Sequence, residues 1–145
     1  MKFILRRVDT SDKLIAEAIR LMHIECFGYG WGDVSENASG SIYWVAYCGR
    51  EAAGFAVLSP SARWDKTGYL SRAGVLPKFR GRGLQKKLVR VRLRATKWLG
   101  WGWVVTDTLS DNPHSMKNLI DCGFRPYEPV IVWGHSSSVY WRRRV

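Results

Sequence analysis

The spacing of apolar residues changes along the chain, and each change marks an element. Residues 3–8 read as a strand. Thr10, Ser11 and Asp12 follow, with side-chain oxygens suited to the free N–H groups of a helix start. Leu14, Ile15, Ala18, Ile19, Met22 and Cys26 recur at helical spacing, which predicts a helix to about Cys26. Residues 27–40 are rich in Gly, Ser, Asn and Asp and predict a loop or weak helix. Residues 41–47 are aromatic and β-branched, residues 52–58 are apolar, and the turn at 48–51 joins them as a hairpin. Residues 67–75 predict a third strand of this group.

The second half alternates. After Pro77 and a Gly/Arg loop, Leu84, Leu88, Val91, Ala95 and Trp98 form an apolar stripe along a helix starting near Gly83. Gly100 and Gly102 end it, and residues 104–106 predict a buried strand. Asn112 and Pro113 open another helix, with Asn as cap and Pro where its missing N–H costs nothing. Met116, Leu119 and Ile120 are expected to face inward, and Gly123 to close the helix in a left-handed conformation. Residues 130–133 and 138–143 are the last strand candidates. The order β-α-β-β-β-α-β-α-β-β predicts an α/β (α+β) fold, a mixed sheet covered by helices.

Length and composition narrow the class. With 145 residues, 46% hydrophobic and 24% charged, the chain reads as a single globular domain spanning 1–145. No apolar run reaches the ~20 residues of a membrane span, and the N-terminus has no signal-peptide pattern, so the expected location is cytoplasmic with no membrane partner. Cys26, Cys48 and Cys122 show no ligand spacing, and neither do His23, His114 and His135, so no metal site is expected. The 23 Lys and Arg against 12 acids give a formal charge of +11. That field attracts anions: nucleic acid, anionic lipid or a phosphorylated cofactor.

One segment carries chemistry. From Val75 to Leu88 a strand ends, glycines follow and an amphipathic helix begins. Gly81 and Gly83 let the backbone approach a ligand, the helix N-terminus attracts a phosphate, and Arg80 and Arg82 add charge-assisted donors. A tight strand-to-helix turn with solvated arginines would show the same residues. A dinucleotide-binding GxGxxG and a P-loop are both absent.

Here the sequence resembles the GNAT superfamily of N-acetyltransferases. Its Arg/Gln-x-x-Gly-x-Gly/Ala signature is matched at Arg80 and Gly83, and Gln85 stands where the family has Gly or Ala. Val75, Leu76 and Pro77 look like the family's Val-x-Pro. Downstream, Asn112, Pro113, His114 and Ser115 begin a helix closing on Gly123 and Phe124, like the family's motif B. The two matches lie in the family's order over roughly residues 41–127.

The resemblance implies a mostly antiparallel sheet, with helices on both faces and a splayed parallel strand pair holding the cofactor. It implies acetyl-CoA as co-substrate, a primary amine of a small molecule or protein as acceptor, and a monomer or homodimer. Arg80, Gly81, Arg82, Gly83, Leu84 and Gln85 would hold the pyrophosphate, with Lys86 at the 3′-phosphate and Asn112 and Ser115 near pantetheine. Ala73, Gly74 and Val75 would offer backbone groups to pantetheine and the oxyanion, with Val75 in the catalytic step. Asp107, five residues before Asn112, would be the general base; a capping role is the alternative. Leu119 occupies the position where the family often has a Tyr as general acid, leaving Tyr127 and Ser115 as substitutes. The loop with Tyr29, Trp31, Asp33 and Glu36 would form the acceptor wall. Two rivals remain: a basic nucleic-acid-binding domain, built on Lys86, Lys87, Arg90, Arg94 and Lys97, and a GNAT fold that binds acyl-CoA without turnover.

Overall fold

The computed structural model describes residues 1–30, 34 and 40–145. Trp31, Asp33 and Glu36, expected in the acceptor wall, lie outside the described residues. Strand β1 (Ile4–Val8) leads into helix α1 (Lys13–Phe27), whose start is capped by the Asp12 side chain accepting from the Leu14 N–H. Strands β2 (Ile42–Cys48), β3 (Glu51–Pro60) and β4 (Thr67–Val75) follow as an antiparallel meander. Helix α2 (Leu84–Trp98), strand β5 (Trp103–Leu109), helix α3 (Pro113–Asp121), and strands β6 (Arg125–Tyr127) and β7 (Ser138–Arg144) complete the order.

The strands form one sheet in the order β1-β2-β3-β4-β5-β7-β6. Among the described residues only the central β4–β5 pair is parallel. It can be parallel because α2 carries the chain back across the sheet between the two strands. Helix α1 covers one face, where Ala16, Ile19 and Met22 pack on Tyr43, Val45, Phe55 and Val57. Helices α2 and α3 cover the other, with Val89, Leu93 and Leu119 against Trp44, Leu58, Leu70, Val104 and Trp141. The element order predicts a mixed sheet covered by helices, and the structure is the mostly antiparallel form, with helices on both faces, that the family resemblance implies. Among the described residues no helix is long and apolar enough to cross a membrane.

Local differences from the sequence reading have physical causes. The buried face of α2 is Leu84, Leu88, Val89, Arg92, Leu93 and Thr96, rotated from the predicted stripe, and Trp98 is 80% exposed. Residues 130–133 are not a strand: Val130, Ile131 and Val132 are exposed in a loop. The strand lies earlier, at Arg125–Tyr127, on the sheet edge, where Pro126 costs no ladder bond. Ile120 and Leu14 are exposed rather than inward, because each helix buries only the stripe its neighbour covers.

Candidate functional site

The two central strands part company half-way along. β4 and β5 pair only at Thr67–Trp103, Gly68–Val104 and Tyr69–Val105. The Thr106 hydroxyl donates to the Leu70 carbonyl at 3.0 Å, and beyond that point the strands separate. β4 stays with β3 as far as Val75–Gly54, and β5 stays with β7 as far as Leu109–Ser138. Each strand follows its outer neighbour, so a wedge opens between them. A cavity of about 480 Å³ occupies it and reaches both faces of the sheet. Gln85, Val89, Arg92, Ser115 and Leu119 line it on the α2 side, and His23, Phe27, Tyr29, Tyr69, Arg72 and Asp107 on the α1 side.

The register decides which β4 backbone groups face the wedge. The Leu76 N–H donates to the Ala53 carbonyl, toward β3. Peptide groups alternate along a strand, so the N–H and C=O of Gly74 also face β3, and those of Ala73 and Val75 face the wedge. The Gly74 carbonyl lies 2.6 Å from where a Cβ on Gly54 would stand, in keeping with this direction. The Val75 carbonyl accepts from Arg80 Nε at 2.9 Å, which fixes the loop beneath it. Ala73 and Val75 therefore offer N–H donors to anything lying in the wedge. Gly74 offers none, and its small size serves packing: a Cβ there would stand 2.8 Å from Cys26 Sγ and 2.9 Å from Phe55.

Below the strand end, Gly81 and Gly83 both have left-handed backbones, with φ of 75° and 78°. Gly83 caps α2 without any side-chain hydrogen bond, so the first N–H groups of the helix point out of the turn. A Cβ on either glycine would meet no protein atom within 4 Å, so the cradle is open. Leu84 turns the other way and is buried.

Several predicted residues have protein partners. Gln85 donates to Ser115 Oγ at 3.2 Å and accepts from Asn118 at 2.9 Å, tying α2 to α3. Lys86 pairs with Asp121 at 2.7 Å across the same seam. Burdened by two lysines, the Asp121 carboxyl sits below its usual range, chiefly through the Lys86 and Lys117 hydrogen bonds. Asn112 caps α3 by accepting from the Ser115 N–H at 3.2 Å. Leu119 is buried and lines the cavity. Tyr127 lies on β6, two strands away from Asp107, paired with Tyr140.

Asp107 stands on the α1 side of β5, where its Oδ2 accepts from Ser138 Oγ at 2.8 Å. Its neighbours Thr106 and Thr108 face the other side, bonded to Leu70 O and Trp141 Nε1. Tyr69 lines the same cavity; burial raises its phenol pKa, and the Asp107 charge adds to this. His23, fully buried, donates from Nδ1 to the Tyr29 carbonyl at 2.9 Å and accepts at Nε2 from Arg72 at 2.6 Å. That pairing requires a neutral ring, and burial, with the Arg72 charge beside it, lowers the His23 pKa. Tyr69, His23 and Arg72 carry no motif in the sequence. Long-range pairing brings them to the wedge, and only the burial of a histidine beside an arginine marks them.

The acetyltransferase (GNAT) family profile matches residues 13–124, most of the chain and all of the wedge. The chain belongs to the GNAT acetyltransferase family. Solved structures agree in fold. The ribosomal-protein-S18-alanine N-acetyltransferase of Escherichia coli superposes with a TM-score of 0.79 at 12% identity, covering 99% of this chain and 94% of that one. A Bacillus subtilis acetyltransferase in complex with CoA gives 0.77 at 18% identity, covering 99% of both chains. A Bacillus anthracis protein in complex with acetyl coenzyme A gives 0.73 at 19% identity, covering 100% and 99%. A search of curated proteins returns no match.

Proposed function

We propose that this GNAT protein transfers an acetyl group from acetyl-CoA to a primary amine that enters from the α1 face. The observation that carries the reading is the wedge itself. Its β4 edge offers the Ala73 and Val75 N–H groups, its mouth is the Arg80–Gln85 turn, and its far wall is a carboxylate, Asp107. The donor fits these groups. Its pyrophosphate would rest on the N–H groups of the α2 start with Arg80 and Arg82, and pantetheine would take the place of the missing strand partner beside β4.

The chemistry then follows from position. The amine arrives as an ammonium, and Asp107 takes its proton directly or through a water. The nitrogen attacks the thioester carbonyl carbon, and the Val75 N–H donates to the oxygen as it becomes an oxyanion. The C–S bond breaks and the electron pair leaves on sulfur. A thiol has a pKa of about 8.5, so the thiolate leaves without a tyrosine at position 119. Ser138 holds the Asp107 carboxylate by one oxygen and leaves the other for the amine.

Asp107→Asn preserves shape and removes basicity. Once an acceptor is found by following CoA release, this variant should turn over roughly 10²–10⁴ more slowly. Its affinity for acetyl-CoA should hardly move, because the donor rests on β4 and the α2 start. Near-normal turnover in the folded variant would make Asp107 a structural partner of Ser138 and nothing more.

A further inference from the structure

The floor of the wedge holds a charge that acetyl transfer does not use. Arg92, in the middle of α2, is 3% exposed and lines the cavity. Its Nε donates to the Leu88 carbonyl at 3.0 Å and its Nη1 to the Val57 carbonyl at 3.2 Å. Those bonds use two of the five N–H groups of a guanidinium. Among the described residues no carboxylate pairs with it. Burial pushes its pKa down to about 9, which still leaves it charged near neutral pH.

The position of this charge follows from an irregularity in β4. Ala56 pairs with Ala73 and Leu58 with Leu70, so Ser71 and Arg72 together oppose Val57. The extra residue frees the Val57 carbonyl from the ladder, and Arg92 caps it from the α2 side. Satisfying one carbonyl needs one N–H. A neutral side chain would supply it without the cost of burying an ion, so both the charge and three donors are surplus.

The wedge shows what lies above that surplus. A donor with its pyrophosphate at Gly83 and its thioester beside the Ala73 and Val75 N–H groups runs down the wedge toward the last β4–β5 pair, at Tyr69 and Val105. Its acyl end then points at the closed floor, where Leu70, Val89, Thr106 and Arg92 meet. Arg92 lies nine positions beyond Gly83, about 13 Å along a helix rising ~1.5 Å per residue.

We propose that this floor selects an acyl group ending in a carboxylate, so that the protein uses a dicarboxylic acyl-CoA of the malonyl or succinyl class in preference to acetyl-CoA. The inference rests on the acyltransferase reading above, keeps its site and chemistry, and replaces acetyl by a charged acyl group as the preferred cargo of the CoA donor. The far carboxylate accepts the unused guanidinium N–H groups as a paired fork. The transfer itself balances as before. The amine nitrogen forms a bond to the thioester carbonyl, the C–S bond breaks, CoA leaves as thiolate, and the distal carboxylate passes unchanged into an N-acyl amide that carries a negative charge.

Binding without any acceptor tests this directly. Titration calorimetry compares acetyl-, butyryl-, malonyl- and succinyl-CoA on the same protein. Butyryl-CoA matches succinyl-CoA in length without the charge and so separates room from recognition. Malonyl- or succinyl-CoA should bind at least tenfold more tightly than acetyl- and butyryl-CoA. In Arg92→Met that ratio should fall toward one, and in Arg92→Lys to an intermediate value. The wild-type ratio decides even if neither variant folds. Acetyl-CoA binding as tightly as malonyl- and succinyl-CoA overturns the proposal and leaves the acyltransferase reading intact. Failure of every CoA thioester to bind overturns both.

Discussion

At the scale of single residues, Gly74 and His23 show how packing and burial hold the site in place. Gly74 admits helix α1 against β4: an added Cβ would stand 2.8 Å from Cys26 Sγ, below any ordinary contact. Gly74→Ala must push α1 or β4 aside, at about 1–3 kcal/mol for an overpacked site. A thermal melt should show a loss of several degrees, and an unchanged melting temperature would mean that the seam is loose. His23 fixes the chain beyond α1 through the Tyr29 carbonyl while accepting from Arg72. Its pKa is lowered in the folded state, first by burial. The unfolded chain therefore takes up a proton that the folded chain refuses. The stability this provides is complete above the unfolded value of about 6.5 and is lost as pH falls below it toward the folded value. Between pH 7 and pH 5 the melting temperature should fall more steeply in the natural protein than in His23→Gln. Parallel pH profiles would remove His23 as the sensitive group.

At the scale of elements, what the sequence discloses depends on how local the cause is. The Asp12 cap of α1, the Asn112 cap of α3 and the two left-handed glycines before α2 all act within a few residues, and each is readable from residue type. The face of α2 is not. The predicted stripe ran through Val91, Ala95 and Trp98, yet the structure buries Arg92 and Thr96 and exposes Trp98. The reason is tertiary. The irregular pairing of β4 leaves the Val57 carbonyl to be satisfied from outside the ladder, and Arg92 on the inner face of α2 supplies the donor. A pattern that scores hydrophobicity cannot see this need. The loop at residues 130–133 misleads for the opposite reason: three β-branched residues suggest a strand, but they find no ladder, and the edge position goes to Arg125–Tyr127. The candidate site divides the same way. The Gly/Arg turn and Asp107 stand out by motif spacing, whereas Tyr69, Arg72 and His23 join the wedge only through the meander and α1.

At the scale of the whole molecule, the formal charge of +11 includes basic residues at opposite ends of the sheet, and these should act differently on an anionic donor. Arg80, Arg82 and Lys87 lie at the start of α2, beside the open cradle. Lys86 is partly spent on Asp121. Arg142 and Arg144 sit at the far end of β7, over the Trp103 ring at 5.6 and 5.9 Å. Trp103 begins β5 and Leu109 ends it at the wedge, so the two ends stand about 20 Å apart at ~3.3 Å per residue. That exceeds the Debye length of about 10 Å at 0.1 M salt. The far arginines should therefore be screened from a CoA phosphate while the near ones are not. Acetyl-CoA affinity should weaken severalfold between roughly 50 mM and 500 mM NaCl, as salt screens the near charges. Arg82→Ala should flatten that dependence, and Arg144→Ala should leave it in place. Calorimetric titration of the three proteins across the salt series measures this. An equal effect of the two substitutions would mean that the positive charge acts as one field over the whole surface, a result that would favour the nucleic-acid-binding role for the basic residues.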